Sequence, residues 1–394
     1  MSVRNLHTRL AGPLMAVLAV LVTLGAIEAT LRLSLTEREQ ATLGRPGLDL
    51  EDSDRLRWRD RVHTQHPTGM AFDVYDPLLG WRPRANLRRE RTVAGERILV
   101  STNGAALRGP VEVPMERTPG TPRIALFGCS QTFGGLIDDT RTVSARLADL
   151  VPGAEVLNFA VHGYGTDQML LRWESEGVHW KPDVVVLAFA YYHLSRNAVA
   201  FRYFEKPRFA LRDADGELEL IGVPIPPPDV VVAQPGPAPL PGLDHLVLLR
   251  WLWERHLRLD EDAMFTPTSD PWRLTAAILT RFAASVHAQG ARFVIANVGD
   301  AALDVGDATA ELATTLGAEW IDVRPRLAEL RSAGVALRVP GDPHWNARGH
   351  DEIAHHLLRA LCDGDATVGA RCPSLPPAVP ATAGTRARRS GSGS

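Results

Sequence analysis

Residues 123–134 read RIALFGCSQTFG, a short apolar run that ends in a turn carrying one serine at its tip. A continuous apolar run as short as Ile124 to Phe127, with Pro122 upstream and Gly128 after it, fits a central strand of a parallel sheet buried on both faces. Gly128 lets the chain turn sharply, and Thr132 and Gly134 suit the start of a helix. A serine at the carboxyl end of such a strand, over a helix N-terminus, sits where open α/β sheets bind ligands. Its hydroxyl is a weak nucleophile until a base takes the proton, so this reading requires a histidine elsewhere.

The candidate lies near the other end of the chain, where residues 341–350 read GDPHWNARGH. Asp342 precedes His344 by two residues, and a helical pattern follows. An aspartate so placed orients the imidazole and stabilises its protonated form, while the far ring nitrogen reaches the serine. The chain order is then Ser130, Asp342, His344. The segment around Ser130 lacks the second glycine of a Gly-x-Ser-x-Gly elbow, which excludes the α/β-hydrolase pattern.

These two segments resemble the blocks of the SGNH/GDSL hydrolase superfamily. Its first block is usually Gly-Asp-Ser with a Thr and a Gly following; here it is Gly128-Cys129-Ser130-Gln131-Thr132-Phe133-Gly134, so Cys129 replaces the usual Asp. A second block, an Asn shortly before a Gly whose amide serves the oxyanion hole, matches Asn158 and Gly163. The third block, Gly-x-Asn-Asp after the next strand, is not matched; Ala190-Tyr191-Tyr192-His193 stands there, with Asn197 further on. The resemblance spans roughly residues 123–361. It implies a flavodoxin-like three-layer α/β sandwich with a central parallel sheet, and catalysis by Ser130, Asp342 and His344. It also implies an oxyanion hole from the Ser130 and Gly163 amides, with Tyr192 or His193 as the substitute side-chain donor and Asn197 as a more distant one. Cys129 is expected to pack beneath the turn. His350, His355 and His356 are expected to be packing or surface residues.

The 394 residues are 45% hydrophobic, enough for one large core with appendages. A formal net charge of −3 supplies no basic field, so a nucleic-acid partner is not suggested. No Cys/His spacing resembles a zinc site and no glycine-rich phosphate loop occurs, so neither metal nor cofactor is expected. Of the three cysteines, Cys362 and Cys372 are close enough in sequence to pair in an oxidising compartment.

From Arg123 onward, strand patterns (Ile124–Phe127, Val156–Phe159, Val184–Phe189, Phe293–Asn297, Glu319–Asp322) alternate with helical ones, which argues for a parallel sheet with helices on both faces. The domain is expected over residues 116–362, interrupted by an insertion at about 201–256. Its Pro-rich run is expected to form neither strands nor helices; the amphipathic stretch from Leu246 follows. The insertion reads equally as a lid near the site or as a surface excursion docked on the core.

At the N-terminus, Arg4 and Arg9 precede an apolar run from Ala11 to Ile27. Residues 1–35 are read as an uncleaved signal anchor in preference to a cleaved signal peptide, with the N-terminus cytoplasmic and the catalytic domain exported. Residues 36–115 are expected to form a stalk and a small β-rich preface, in which Trp81 and Arg108 either pack against the main domain or reach the substrate. Residues 363–394 are expected to be disordered. The expected activity is hydrolysis of an O-acyl ester on a glycan or lipid outside the cytoplasm. Two alternatives stay open: transfer of the acyl group to an exported polysaccharide, and a non-catalytic glycan-binding or assembly role.

Overall fold

The computed structural model describes residues 3–64, 72–212, 216–299 and 305–364. Five strands, β1 (Arg123–Phe127), β2 (Glu155–Asn158), β3 (Val184–Phe189), β4 (Arg292–Asn297) and β5 (Glu319–Asp322), form one parallel sheet in the order β2-β1-β3-β4-β5. This is the flavodoxin-like order, and every expected strand is present within a residue at each end. Seven helices matter below: α1 (Val3–Ser34), α2 (Leu50–Thr64), α3 (Val143–Leu150), α4 (Thr166–Ser175), α5 (Val247–Ala263), α6 (Asp270–Ala288) and α7 (Ala347–Gly364).

Strand residues point alternately to opposite faces, and both faces are covered. Phe127, Leu187, Phe189, Phe293 and Ile295 share a core with Trp173 of α4 and Phe282 of α6. Ile124, Leu126, Val186 and Val294 join Leu147 of α3 and Leu357 of α7 on the other side. The three central strands β1, β3 and β4 therefore read as apolar runs because neither face meets water, while the edge strands β2 and β5 carry charges and are largely half-buried. Phe127 stacks on Phe159 at 4.8 Å and meets the edge of Trp173 at 5.9 Å. Truncating a ring held in this way typically costs about 3–5 kcal/mol.

The preface forms two antiparallel hairpins, Asp73–Asp76 with Gly80–Pro83 and Arg88–Val93 with Glu96–Ser101. Both of the residues weighed there pack inward. Arg108 is buried, pairs with Asp139, and donates to the carbonyls of Phe133 (3.0 Å), Gly134 and Ile137 (both 3.3 Å). Among these, the Phe133 carbonyl ends the short helix Ser130–Phe133, which leaves it without an intrahelical donor.

Two expectations need correction. The segment read as a stalk does not stand free: Trp58 of α2 is fully buried against Phe201 (5.8 Å) and Phe204 (5.2 Å) of the insertion. Because α2 is charged all round, a single aromatic anchor flanked by ion pairs such as Arg57–Glu254 does the docking, and no periodicity announces it. The insertion is also more regular than expected. It carries a hairpin, Arg208–Arg212 with Glu217–Ile221, and a short helix, Pro228–Ala233, inside the Pro-rich run. A proline at the first helical position gives up only an N–H that the helix would leave unbonded, so the run tolerates a turn there. Arg324–Ser332 forms a further helix between β5 and α7.

In α1, Gly12–Ser34 is long and apolar enough to cross a membrane, with mean hydropathy 2.2 and none of it buried. Glu28 near its end accepts the Val247 and Leu248 amides at 3.0 and 2.7 Å, capping the start of α5. Cys362 on α7 is disulfide-bonded. Cys372 and the expected disordered tail beyond residue 364 lie outside the described residues.

Candidate active site

Ser130 opens the short helix that follows β1. Cys129 ahead of it is extended (φ −100°), and Gly134 closes the turn in the left-handed region (φ 68°), which glycine adopts without strain. Gly128 is needed for a different reason: a Cβ there would lie 2.3 Å from Thr132 Oγ1. The turn thus folds back on itself and leaves Ser130 slightly exposed at the strand end.

His344 arrives from the loop before α7. Its Nε2 lies 2.8 Å from Ser130 Oγ, and its Nδ1 lies 2.6 Å from Asp342 Oδ1. With the ring proton on Nδ1, the imidazole donates to Asp342 and accepts the serine hydroxyl. The same Oδ1 accepts the His344 backbone N–H at 2.9 Å. Burial pulls the Asp342 carboxyl upward, but the two hydrogen bonds from His344, its ring and Arg338 outweigh it and hold the group below its ordinary value. Asp342 therefore stays ionised, as an orienting carboxylate must.

Gln131 ties the two blocks together. Its side chain donates to the Pro343 carbonyl at 3.2 Å and accepts the Trp345 N–H at 3.0 Å, gripping the backbone on either side of His344. Trp345 is buried, its indole N–H donating to the Val298 carbonyl at 3.2 Å, and Arg338 lies over its ring.

The triad opens into a cleft of about 280 Å³, lined also by Arg91, Trp81, His162 and Tyr203. A second hollow of about 210 Å³, between the preface and α3, holds none of the triad. At Gly163 (φ +76°) the Tyr203 ring lies so close that an added Cβ would sit 2.0 Å from it. Trp81 donates from its indole to the His162 carbonyl at 2.8 Å, and Asp73 lies 3.5 Å from His162 Nδ1. His162 was not singled out from sequence, although it stands directly beside Gly163.

The expected substitute donors are placed elsewhere. The Tyr192 hydroxyl faces Cys129 Sγ at 3.4 Å, beneath the turn, where burial raises its pKa well above the ordinary value. His193 is fully buried; its Nδ1 accepts the Ala190 amide at 3.2 Å, and burial keeps the ring neutral. Neither side chain lines the cleft. Asn197 is committed to Thr166, Thr275 and the Asp167 amide. His350 is buried and accepts the Val143 amide at 3.2 Å.

A serine after the first strand, a glycine after the second and an Asp-x-His before the last helix converge on one sheet edge. This arrangement resembles the layout expected from the SGNH/GDSL blocks in the sequence. Within it, Cys129 takes the place of the usual Asp, and the Asn block is replaced by the aromatic pair Tyr191 and Tyr192.

Neither a protein-family model nor a curated protein matches the sequence. Among solved structures, an acetylxylan esterase from Geobacillus stearothermophilus overlaps 63% of this chain and 94% of its own, at 15% identity and a TM-score of 0.35. TesA overlaps 61% and 97%, at 12% identity and a TM-score of 0.35. A G-D-S-L family lipolytic protein from Desulfitobacterium hafniense overlaps 61% and 100%, at 11% and 0.33. These likenesses are slight.

Proposed function

We propose that the chain is a serine-dependent ester hydrolase that cleaves an O-acyl ester of a glycan or lipid outside the cytoplasm, tethered by α1. The observation that carries this reading is the continuous hydrogen-bonded line Ser130–His344–Asp342, at 2.8 and 2.6 Å. In it, Ser130 Oγ attacks the acyl carbon as His344 Nε2 takes its proton, and Asp342 stabilises the imidazolium. The imidazolium then protonates the departing alcohol. Water, activated by the same ring, attacks the acyl-enzyme and releases the carboxylic acid.

The oxyanion meets two backbone amides, those of Ser130 and Gly163. The Ser130 N–H is the first of its helix and has no intrahelical acceptor. With no side-chain donor from the third block, the hole is one short, and each such donor is typically worth about 10²–10³ in turnover. Slow cleavage of simple esters is the expected consequence. The apolar, unburied Gly12–Ser34 stretch, with Arg4 and Arg9 ahead of it, supports a tether with the cleft on the far side of the membrane.

The test is mass spectrometry of the full chain after exposure to a fluorophosphonate ester, with Ser130→Ala as control. Labelling of Ser130 alone is expected. An unlabelled but folded wild-type chain sinks the mechanism.

A further inference from the structure

Two charged side chains line the cleft outside the triad: Asp73, which lies 3.5 Å from His162 Nδ1, and Arg91. Arg91 projects from the hairpin strand Arg88–Val93 and lines the same cavity as Ser130 and His344. Its Nη1 donates to the Gly135 carbonyl at 3.0 Å, and its guanidinium carbon lies 5.2 Å from the centroid of Phe72. Among the described residues no carboxylate lies within ion-pair distance of it. Arg89 lies against the same Phe72 ring at 5.3 Å, so two like charges share one aromatic neighbour. Partial burial, and then Arg89, pull the Arg91 pKa down from its ordinary value; Asp342 acts the other way, but it is already engaged by His344.

A half-buried guanidinium carries five donors, and this one spends one of them on a neutral carbonyl. Such a group is short of negative charge, and its planar fork suits a carboxylate or phosphate. Tyr203, which lines the same cleft, is 43% exposed and lies beside Gly163.

We infer that the acyl ester taken by this cleft carries an anion close to the ester, held by Arg91, with the adjoining ring or chain laid on Tyr203. A uronate carboxylate and a lipid phosphate share this chemistry. The inference rests on the ester-hydrolase reading and adds its substrate class.

The experiment compares kcat/KM of the full-length protein on three probes: an O-acetylated oligogalacturonide, an O-acetylated xylo-oligosaccharide as its neutral counterpart, and a lysophosphatidylglycerol. At least one anionic probe is expected to exceed the neutral one. In Arg91→Gln that ratio falls about 10- to 100-fold, the usual worth of one charge-assisted pair. Arg91→Lys retains part of it, because the charge remains while the fork is lost. Which anionic probe shows the loss identifies carboxylate or phosphate.

Equal loss on neutral and anionic probes overturns the inference and makes Arg91 a general stabiliser of the reacting ester. An unchanged ratio, or a wild type that labels at Ser130 yet prefers the neutral probe or cleaves none of the three, also overturns it. Failure of Ser130 to label at all is a different result, and it removes the hydrolase reading itself.

Discussion

Gln131 accepts the backbone N–H of Trp345 at 3.0 Å, and from the same amide it donates to Pro343 at 3.2 Å. The residue next to Ser130 therefore fixes the loop that carries His344. Gln131 touches no substrate; it is a positioning residue. Gln131→Ala is expected to lower kcat by about tenfold, since two neutral hydrogen bonds of roughly 1 kcal/mol each are lost and the loop relaxes in part. KM should move little. Gln131→Glu keeps the acceptor for Trp345 and loses the donor to Pro343, so its kcat should fall between the other two. Steady-state kinetics on an aryl acetate checks the order, and a change in KM alone would remove the positioning role.

Lys206 and Asp167 form an ion pair with no solvent exposure on either side chain, joining the insertion to α4. Lys206 also donates to the carbonyls of Arg196 (3.1 Å) and Pro207 (3.0 Å), and Asp167 accepts the Gln168 amide at 2.7 Å. Burial pushes the carboxyl up and the ammonium down, and each partner opposes the shift in the other. Removing one member strands the other. Lys206→Met should cost about 3–5 kcal/mol in urea unfolding, and Asp167→Leu added to it should recover part of that loss. A single variant as stable as wild type would contradict the buried pairing.

His350 is buried, and that burial, with Arg108 and His344 nearby, lowers its pKa to about 3. Unfolded, the same ring titrates at about 6.5. Below that pH the unfolded chain takes up a proton that the folded chain refuses. Stability is therefore fully present above about pH 6.5 and is lost as pH falls toward 3, at roughly 1.4 kcal/mol per pH unit. His350→Gln removes the titration. Urea midpoints at pH 7, 6, 5 and 4 should fall more steeply for wild type than for the variant, and parallel curves would show that the ring is not held neutral.

The five strands and the triad were legible because their signals are local. Ile124–Phe127 and Val184–Phe189 are short apolar runs cut off by turn residues, and Asp342 and His344 sit two positions apart. The rest of the cleft was not, because Arg91, His162 and Tyr203 come from three separate segments and meet only through folding. The third oxyanion donor illustrates the limit. Position in sequence pointed to Tyr192 and His193, yet burial turns one toward Cys129 and the other toward the Ala190 amide. In α2, a helix of charges, Trp58 is the one fully buried aromatic anchor, and no pattern of period 3.6 marks it.

One oxygen of Asp342 holds both the backbone and the ring of His344, so base and orienter form a single short piece of chain, 214 residues after the serine. Synthesis proceeds from the N-terminus, and the Ser130 half emerges first. Until the segment before α7 docks, Ser130 has no imidazole beside it. On the hydrolase proposal, reactivity therefore requires both segments to be folded against one another.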